Sequence, residues 1–143
     1  MQFSTKGRYA LRLMIDLALH SDGVAVPLKE IAARQDISVK YLEQIVPPLA
    51  RAGLVQSVRG AGGGYRLARN AAVCTAGDIL RAAEGGLAPV ACLVHDTPAC
   101  ARTQACAALH FWKGMQSTVE QYADSVTLES LTALTTQGDD YCI

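Results

Sequence analysis

The chain has 143 residues, half of them hydrophobic, with 13 Lys and Arg balancing 13 Asp and Glu. That length suits one cooperative core with an appendage and excludes two large domains. With no apolar run of about eighteen residues or more and no N-terminal leader pattern, the expectation is a soluble, cytoplasmic protein without membrane contact. In that reducing setting the five cysteines, an odd number, speak against a disulfide framework and for metal or redox chemistry.

The first predicted element is a helix from Ser4 to His20, in which Tyr9, Leu11, Leu13, Met14, Leu17 and Ala18 recur at helical spacing and Ser4 or Thr5 caps the start. After the break at Ser21-Asp22-Gly23, Pro27 suits the first position of a short helix through Arg34. Gln35-Asp36-Ile37 reads as a turn, with Asp36 at the site that takes a left-handed conformation. Ser38 then caps a third helix that turns Tyr41, Leu42, Ile45, Val46 and Leu49 inward. Pro47 and Pro48 predict a kink or break there, followed by a last turn that ends at Gly53.

Two β-prone runs, 54–58 and 64–67, flank the glycine-rich stretch Arg59-Gly60-Ala61-Gly62-Gly63 and read as a hairpin with a flexible tip, the shape of a wing. Thr75 caps a helix to Glu84, which Gly85-Gly86 stops, and an irregular segment follows from Leu87 to about Thr103. From Ala105 to Val126 the positions Ala105, Leu109, Trp112, Gln116, Val119, Ala123 and Val126 step by four and three, giving a long helix with an apolar seam. Thr127 caps a final short helix to Leu134 before a polar tail. The fold class expected is mainly α with a small β-wing: a winged helix-turn-helix domain over 1–86, a cysteine-bearing loop over 87–103, and a dimerisation helix with tail over 104–143.

Charge divides unevenly between the halves. Residues 1–70 hold ten basic and five acidic side chains, and 71–143 hold three and eight, so the N-terminal half is the one suited to phosphate. Within it, 28–45 fits a helix-turn-helix, with small Ala32 at the helix crossing and Leu42 on the buried side of the second helix. That geometry presents Ser38, Val39, Lys40, Glu43 and Gln44 to a major groove. Gln44 can pair with adenine, Glu43 can accept from the cytosine amino group, and Lys40 can reach guanine or phosphate. Arg59 at the wing tip suits a narrow minor groove, with Arg66 and Arg69 on phosphates; Gly60 and Tyr41 are counted with the DNA-contact set. The glycines of the wing lack the strand-to-helix setting and the Gly-Lys-Ser/Thr of a phosphate loop.

Cys92, Cys100 and Cys106 are spaced C-x7-C-x5-C on the loop that feeds the long helix. Structural zinc sites use at least one tight clip, absent here, so three thiolates on one flexible segment point to an iron-sulfur cluster. His110, four residues beyond Cys106 on one helical face, is the first candidate for the fourth ligand. His95, Asp96 or a residue of a second subunit are the alternatives. Cys74 reads as core, His20 as a helix-end residue without a role, and Cys142 as too near the chain end to ligate.

Ser4-Thr5-Lys6-Gly7-Arg8-Tyr9-Ala10, Tyr41-Leu42-Glu43-Gln44, Gly53-Leu54-Val55, Ser57-Val58-Arg59-Gly60 and Gly62-Gly63-Gly64-Tyr65 resemble, in that order, the Rrf-type transcription regulators, over nearly the whole chain. The resemblance implies a homodimeric winged-helix protein on a palindromic double-stranded operator, with the positions of Lys40, Glu43 and Gln44 reading bases and Arg59 in the minor groove. Branches of the family include an iron-sulfur cluster regulator, a nitric-oxide-sensitive repressor and a cysteine-metabolism repressor. The cluster branch implies a 2Fe-2S group ahead of 4Fe-4S, but it carries its histidine three residues after the third cysteine, where this chain has Leu109, and it lacks Pro47. Arg8 stands where the nitric-oxide-sensitive branch has an acidic ligand. The tail Asp139-Asp140-Tyr141-Cys142-Ile143 resembles that of the cysteine-metabolism repressor, which implies cysteine synthase as an alternative partner, gripping the terminal carboxylate. A third reading, a redox or electron-transfer protein, has no nucleophile-base pair or cofactor cradle behind it, and the protein is read as a non-enzyme.

Overall fold

In the computed structural model, which describes residues 2–98 and 100–137, helix α1 (Thr5–His20) runs through the centre of the molecule. Ser4 caps it by accepting from the Gly7 amide at 3.3 Å. Its buried stripe of Ala10, Leu13, Met14 and Leu17 is covered by Ile31 of α2 (Leu28–Gln35), by Leu42, Ile45 and Leu49 of α3 (Val39–Arg51), and by Ile79 of α4 (Ala76–Glu84). Burying one such aliphatic side chain contributes roughly 1.5–3 kcal/mol, so this shared stripe orients the helix-turn-helix relative to everything after it.

The turn between α2 and α3 is made at Asp36, which is left-handed at φ 52° and ψ 51°. Ser38 follows as the cap of α3, its hydroxyl accepting from the Tyr41 amide at 3.1 Å. Pro27 stands at the cap of α2, one position earlier than expected, with extended φ and ψ. The expected break at Pro47-Pro48 is corrected: α3 continues through both to Arg51. Two intrahelical bonds are lost, a cost of about 3 kcal/mol per interior proline, but Leu42, Ile45, Val46 and Leu49 are all 3% exposed or less, and their packing outweighs that cost.

Strands β1 (Val55–Val58) and β2 (Gly64–Leu67) form the antiparallel wing, with Val55 opposite Leu67 and Val58 opposite Gly64. Val26 bridges to Tyr65 with backbone bonds of 2.8 and 2.9 Å, which fastens the wing to the segment leading into α2. Gly64 is required at that join, because a Cβ would run into the Val26 carbonyl.

A full capping box starts α4: the Thr75 side chain accepts from the Asp78 amide, and the Asp78 carboxylate accepts from the Thr75 amide. Gly85, left-handed at φ 83°, ends the helix. The segment beyond is anchored by buried Leu87 and holds two short 3₁₀ turns, Ala91–Leu93 and Thr103–Ala105. The long helix α5 spans Ala107–Ser125, and α6 spans Leu128–Gln137 with the Thr127 hydroxyl accepting from the Ser130 amide. Leu128 is fully buried in the core built on α1, so the C-terminal region returns to the winged domain after α5 has left it. Of the expected α5 seam, Ala123 is buried, Leu109, Trp112, Gln116 and Val119 are half-buried, and Ala105 is exposed.

The base of α5 is clamped to α4. Arg81 donates from both terminal nitrogens to Asp124 at 2.7 and 2.8 Å, and Gly77 leaves the space that the Asp124 carboxylate fills. The bond to Arg81 holds the Asp124 carboxyl below its ordinary value of 3.8. A depressed carboxyl adds stability that is present above that value and lost as pH falls through the folded pKa. The pair is about half exposed, so water screening limits it to about 1 kcal/mol or less. Acid melts of the protein and of Asp124→Asn are expected to differ by that small margin at pH 6 and to converge as the pH drops below 3.8. A difference unchanged at pH 2 would remove the ion pair as its cause.

Candidate functional site

The polar side of α3 is free of the rest of the molecule. Ser38, Val39, Lys40, Glu43 and Gln44 are exposed, while Leu42, Ile45 and Val46 one step round the helix are buried. The helix therefore presents one polar strip, as its spacing predicts. Tyr41 differs from its neighbours in the contact set: it is half-buried, with its ring edge-on to Tyr9 at 5.6 Å and 83°.

Beside this strip stands the wing. Arg59 and Gly60 are exposed at its tip, where Gly60 (φ 100°) and Gly62 (φ 80°) make the tight return. Arg66 lies opposite Gln56 and donates from Nε to its side-chain oxygen at 3.2 Å, holding the guanidinium along the wing. Among the described residues Lys40, Arg59 and Arg66 enter no ion pair, so their charges are available to an anion. Arg69, expected on phosphate, instead pairs with Asp78 at 3.3 Å; its place beside the α4 cap explains the difference.

Sequence reasoning missed the polar network beneath the helix-turn-helix. Asp16 on α1 is fully buried and accepts from Arg34 at 3.0 and 2.7 Å and from the Gln35 side-chain amide at 2.9 Å. The hydrogen bonds that Arg34 donates to Asp16, together with the attraction of that carboxylate, raise the Arg34 pKa above its already high ordinary value. Arg12 donates to the Gln35 carbonyl at 2.6 Å and to its side-chain oxygen at 3.1 Å. A signal was present: Asp16 falls between Met14 and Leu17 on an apolar face, and a carboxylate there needs a partner.

The cysteine segment has a different character. Cys92 lies in the first 3₁₀ turn, Cys100 in irregular chain, and Cys106 at the N-cap of α5 without capping it. All three are free and exposed, as is His110 one turn into α5. His95 and Asp96 pair with each other at 2.9 Å, both exposed. Among the described residues no three Cys, His, Asp or Glu side chains lie close enough to share a metal ion, so the single chain does not gather the predicted ligands about one point. Their chemistry does suit iron: three soft donors, unburied, on short turns that constrain each other little. Cys74 is fully buried, as expected for a core residue, and burial pushes its thiol pKa up. Cys142 and Ile143 lie outside the described residues.

Comparison with known proteins agrees with this geometry. A family model described as "Rrf2: Iron-dependent Transcriptional regulator" matches residues 3–134. The HTH-type transcriptional regulator CymR of Bacillus subtilis is 44% identical over 136 residues, covering 94% of this chain and 92% of that protein. The solved structure of CymR, titled the global cysteine regulator of B. subtilis, superposes with a TM-score of 0.75 at 41% identity, covering 94% of this chain and 98% of that one. The structure of T. potens IscR gives a TM-score of 0.76 at 35% identity and covers all of this chain and 94% of the other.

Proposed function

Because this chain belongs to the Rrf2 family of transcriptional regulators, we propose that it binds a palindromic double-stranded operator as a homodimer, and that its cysteine segment tunes that binding. The observation that carries the reading is the capped, exposed strip of α3 beside a wing whose Arg59 and Arg66 enter no ion pair among the described residues. Ser38, Lys40, Glu43 and Gln44 enter the major groove, with Tyr41 at its mouth, and Arg59 and Gly60 follow the minor groove. The homodimer is supported by α5, which leaves the winged domain and carries an apolar trough of Phe111, Gly114, Met115 and Val119 with no cover among the described residues. Two winged domains joined there address adjacent half-sites.

Cys92, Cys100 and Cys106 are the residues that would hold an iron-sulfur cluster, with His110 as fourth ligand, and 2Fe-2S is the form favoured. Such a group supplies redox and nitrosative sensitivity when bound. The chain's own part is conformational: drawing its three thiols together would order 87–103 between α4 and α5 and bias how the winged domains are posed. The reading makes the protein a repressor of the cytoplasm.

Protein purified without oxygen is expected to carry iron and sulfide with visible charge-transfer absorption, lost on Cys92→Ser, Cys100→Ser or Cys106→Ser. Loaded and stripped forms should differ in DNA affinity by about 5–150-fold. Protein that takes up neither iron nor sulfide under these conditions would rule out the cluster and leave the DNA reading standing. The likeness to the global cysteine regulator of B. subtilis favours a second reading, control of cysteine metabolism, for which we propose that cysteine synthase grips the tail segment at Ile143. Retention by immobilised cysteine synthase should then vanish when Ile143 is deleted, and equal retention would exclude it.

A further inference from the structure

We infer that Arg12 is a positioning residue for DNA reading: it sets the pose of the recognition helix from behind and does not touch the nucleic acid. The inference rests on the reading of α3 as the groove-entering helix.

Arg12 sits on α1 and holds both ends of the helix-turn-helix turn. On one side its Nη2 donates at 2.6 Å to the carbonyl of Gln35, the last residue of α2, and its Nε donates at 3.1 Å to the Gln35 side chain. A helix leaves its last carbonyls without internal partners and carries partial negative charge there, so a fixed guanidinium is well placed to satisfy them. On the other side the guanidinium carbon of Arg12 lies over the Tyr9 ring, 5.1 Å from its centre, and Tyr9 packs against Tyr41 in the first turn of α3. Between these two grips lie five residues: Asp36, Ile37 and Ser38, which are the left-handed residue, one link and the cap, and then Val39 and Lys40, which begin α3.

Gln35 is gripped from a second direction, since its amide nitrogen donates to buried Asp16, which also takes Arg34. The end of α2 is thus fixed by two α1 side chains one helical turn apart, while the start of α3 is fixed through the edge-on pair of Tyr9 and Tyr41. Base contacts need side chains held within about 0.5 Å, and Lys40, Glu43 and Gln44 are carried by this first part of α3. With Nε and Nη2 turned to Gln35 and its guanidinium carbon over Tyr9, Arg12 has its planar fork committed inward. A lysine ammonium lacks that rigid planar fork, so it does not hold both Gln35 oxygens in the same geometry while lying over the ring.

Arg12→Lys separates positioning from phosphate contact, since it keeps the charge and removes the fork. The probes are a duplex recovered by the wild-type full chain from a randomised pool and an unselected duplex of equal length. Binding to the selected duplex should weaken by on the order of tenfold, while binding to the unselected duplex and its salt dependence stay as in the wild type. Amide exchange should quicken at residues 38–42 and not in α4 or α6. Tyr9→Leu, which keeps apolar packing and removes the aromatic link, should give the same pattern and decides the matter if Arg12→Lys does not fold. Wild-type behaviour of Arg12→Lys on the selected duplex, with unchanged exchange, would overturn the inference. So would equal losses on both duplexes, accompanied in the charge-removing Arg12→Gln by a salt slope smaller by about one, which would make Arg12 a direct phosphate contact. A wild-type chain that enriches no duplex would instead remove the DNA reading, and the positioning role with it.

Discussion

Asp16→Ala is expected to lower the free energy of unfolding by about 2–3 kcal/mol, the largest loss predicted for any single polar side chain of this fold. Asp16 is fully buried and accepts three hydrogen bonds, two from Arg34 and one from Gln35. Truncation leaves those donors facing a cavity where a carboxylate stood, and an unmet charged donor is costly. The loss falls below the range for a wholly buried pair because the Arg34 side chain is 32% exposed and turns partly to water. Against a total stability of roughly 5–15 kcal/mol this is a large fraction, and the melting point should fall by about 5–10 °C. Urea unfolding at a fixed protomer concentration checks it: a lower midpoint with an unchanged slope is expected. A midpoint within experimental error of the wild type would show that the network contributes nothing net.

Arg59→Ala combined with Gln44→Ala is expected to weaken binding to the preferred duplex by roughly 10²–10⁴-fold for each half-site engaged, at about 1–3 kcal/mol for each contact. The two side chains lie on different elements, the polar strip of α3 and the wing tip, so their effects should add. Their qualities differ. Gln44→Ala removes a base contact and should relax preference at one position of each half-site, with little change in salt dependence. Arg59→Ala should weaken binding most where the minor groove is narrow and shallow the salt slope by about one. Lys40→Ala, if its partner is phosphate, weakens all duplexes alike. Titrations against matched and singly altered duplexes at two salt concentrations separate these results, and a double variant that binds as the wild type does would contradict the placement of both residues.

Much of this fold was legible because its signals are local. Ser4, Ser38, Thr75 and Thr127 each cap the helix they were expected to cap, since a hydroxyl that meets an amide three residues on needs nothing from the rest of the chain. Asp36 takes the left-handed turn for a similarly local reason. The polar strip of α3 followed from periodicity alone, which fixes which side chains share a face.

What was missed depends on distant partners. The prolines at 47 and 48 signal a break by their own chemistry, but the core under Ile45, Val46 and Leu49 carries the helix on. Arg69 was free to be read as a phosphate contact until Asp78 came beside it. The pairing of Arg81 with Asp124 spans 43 positions, and no spacing rule reaches that far. The cysteine spacing was visible, yet the described residues do not bring the three thiols together: they sit on an irregular segment whose described turns are held by short-range bonds such as Thr97 to Val94 and Thr103 to Cys100.

The central claim, that the exposed face of α3 reads DNA, is tested most directly by placing a photoreactive side chain at position 44 and, as a control, at exposed Glu129 on α6, then irradiating each with the selected duplex. Position 44 is expected to crosslink to a base in the major groove and position 129 to give no product. Crosslinking from 129 with none from 44 would contradict the account.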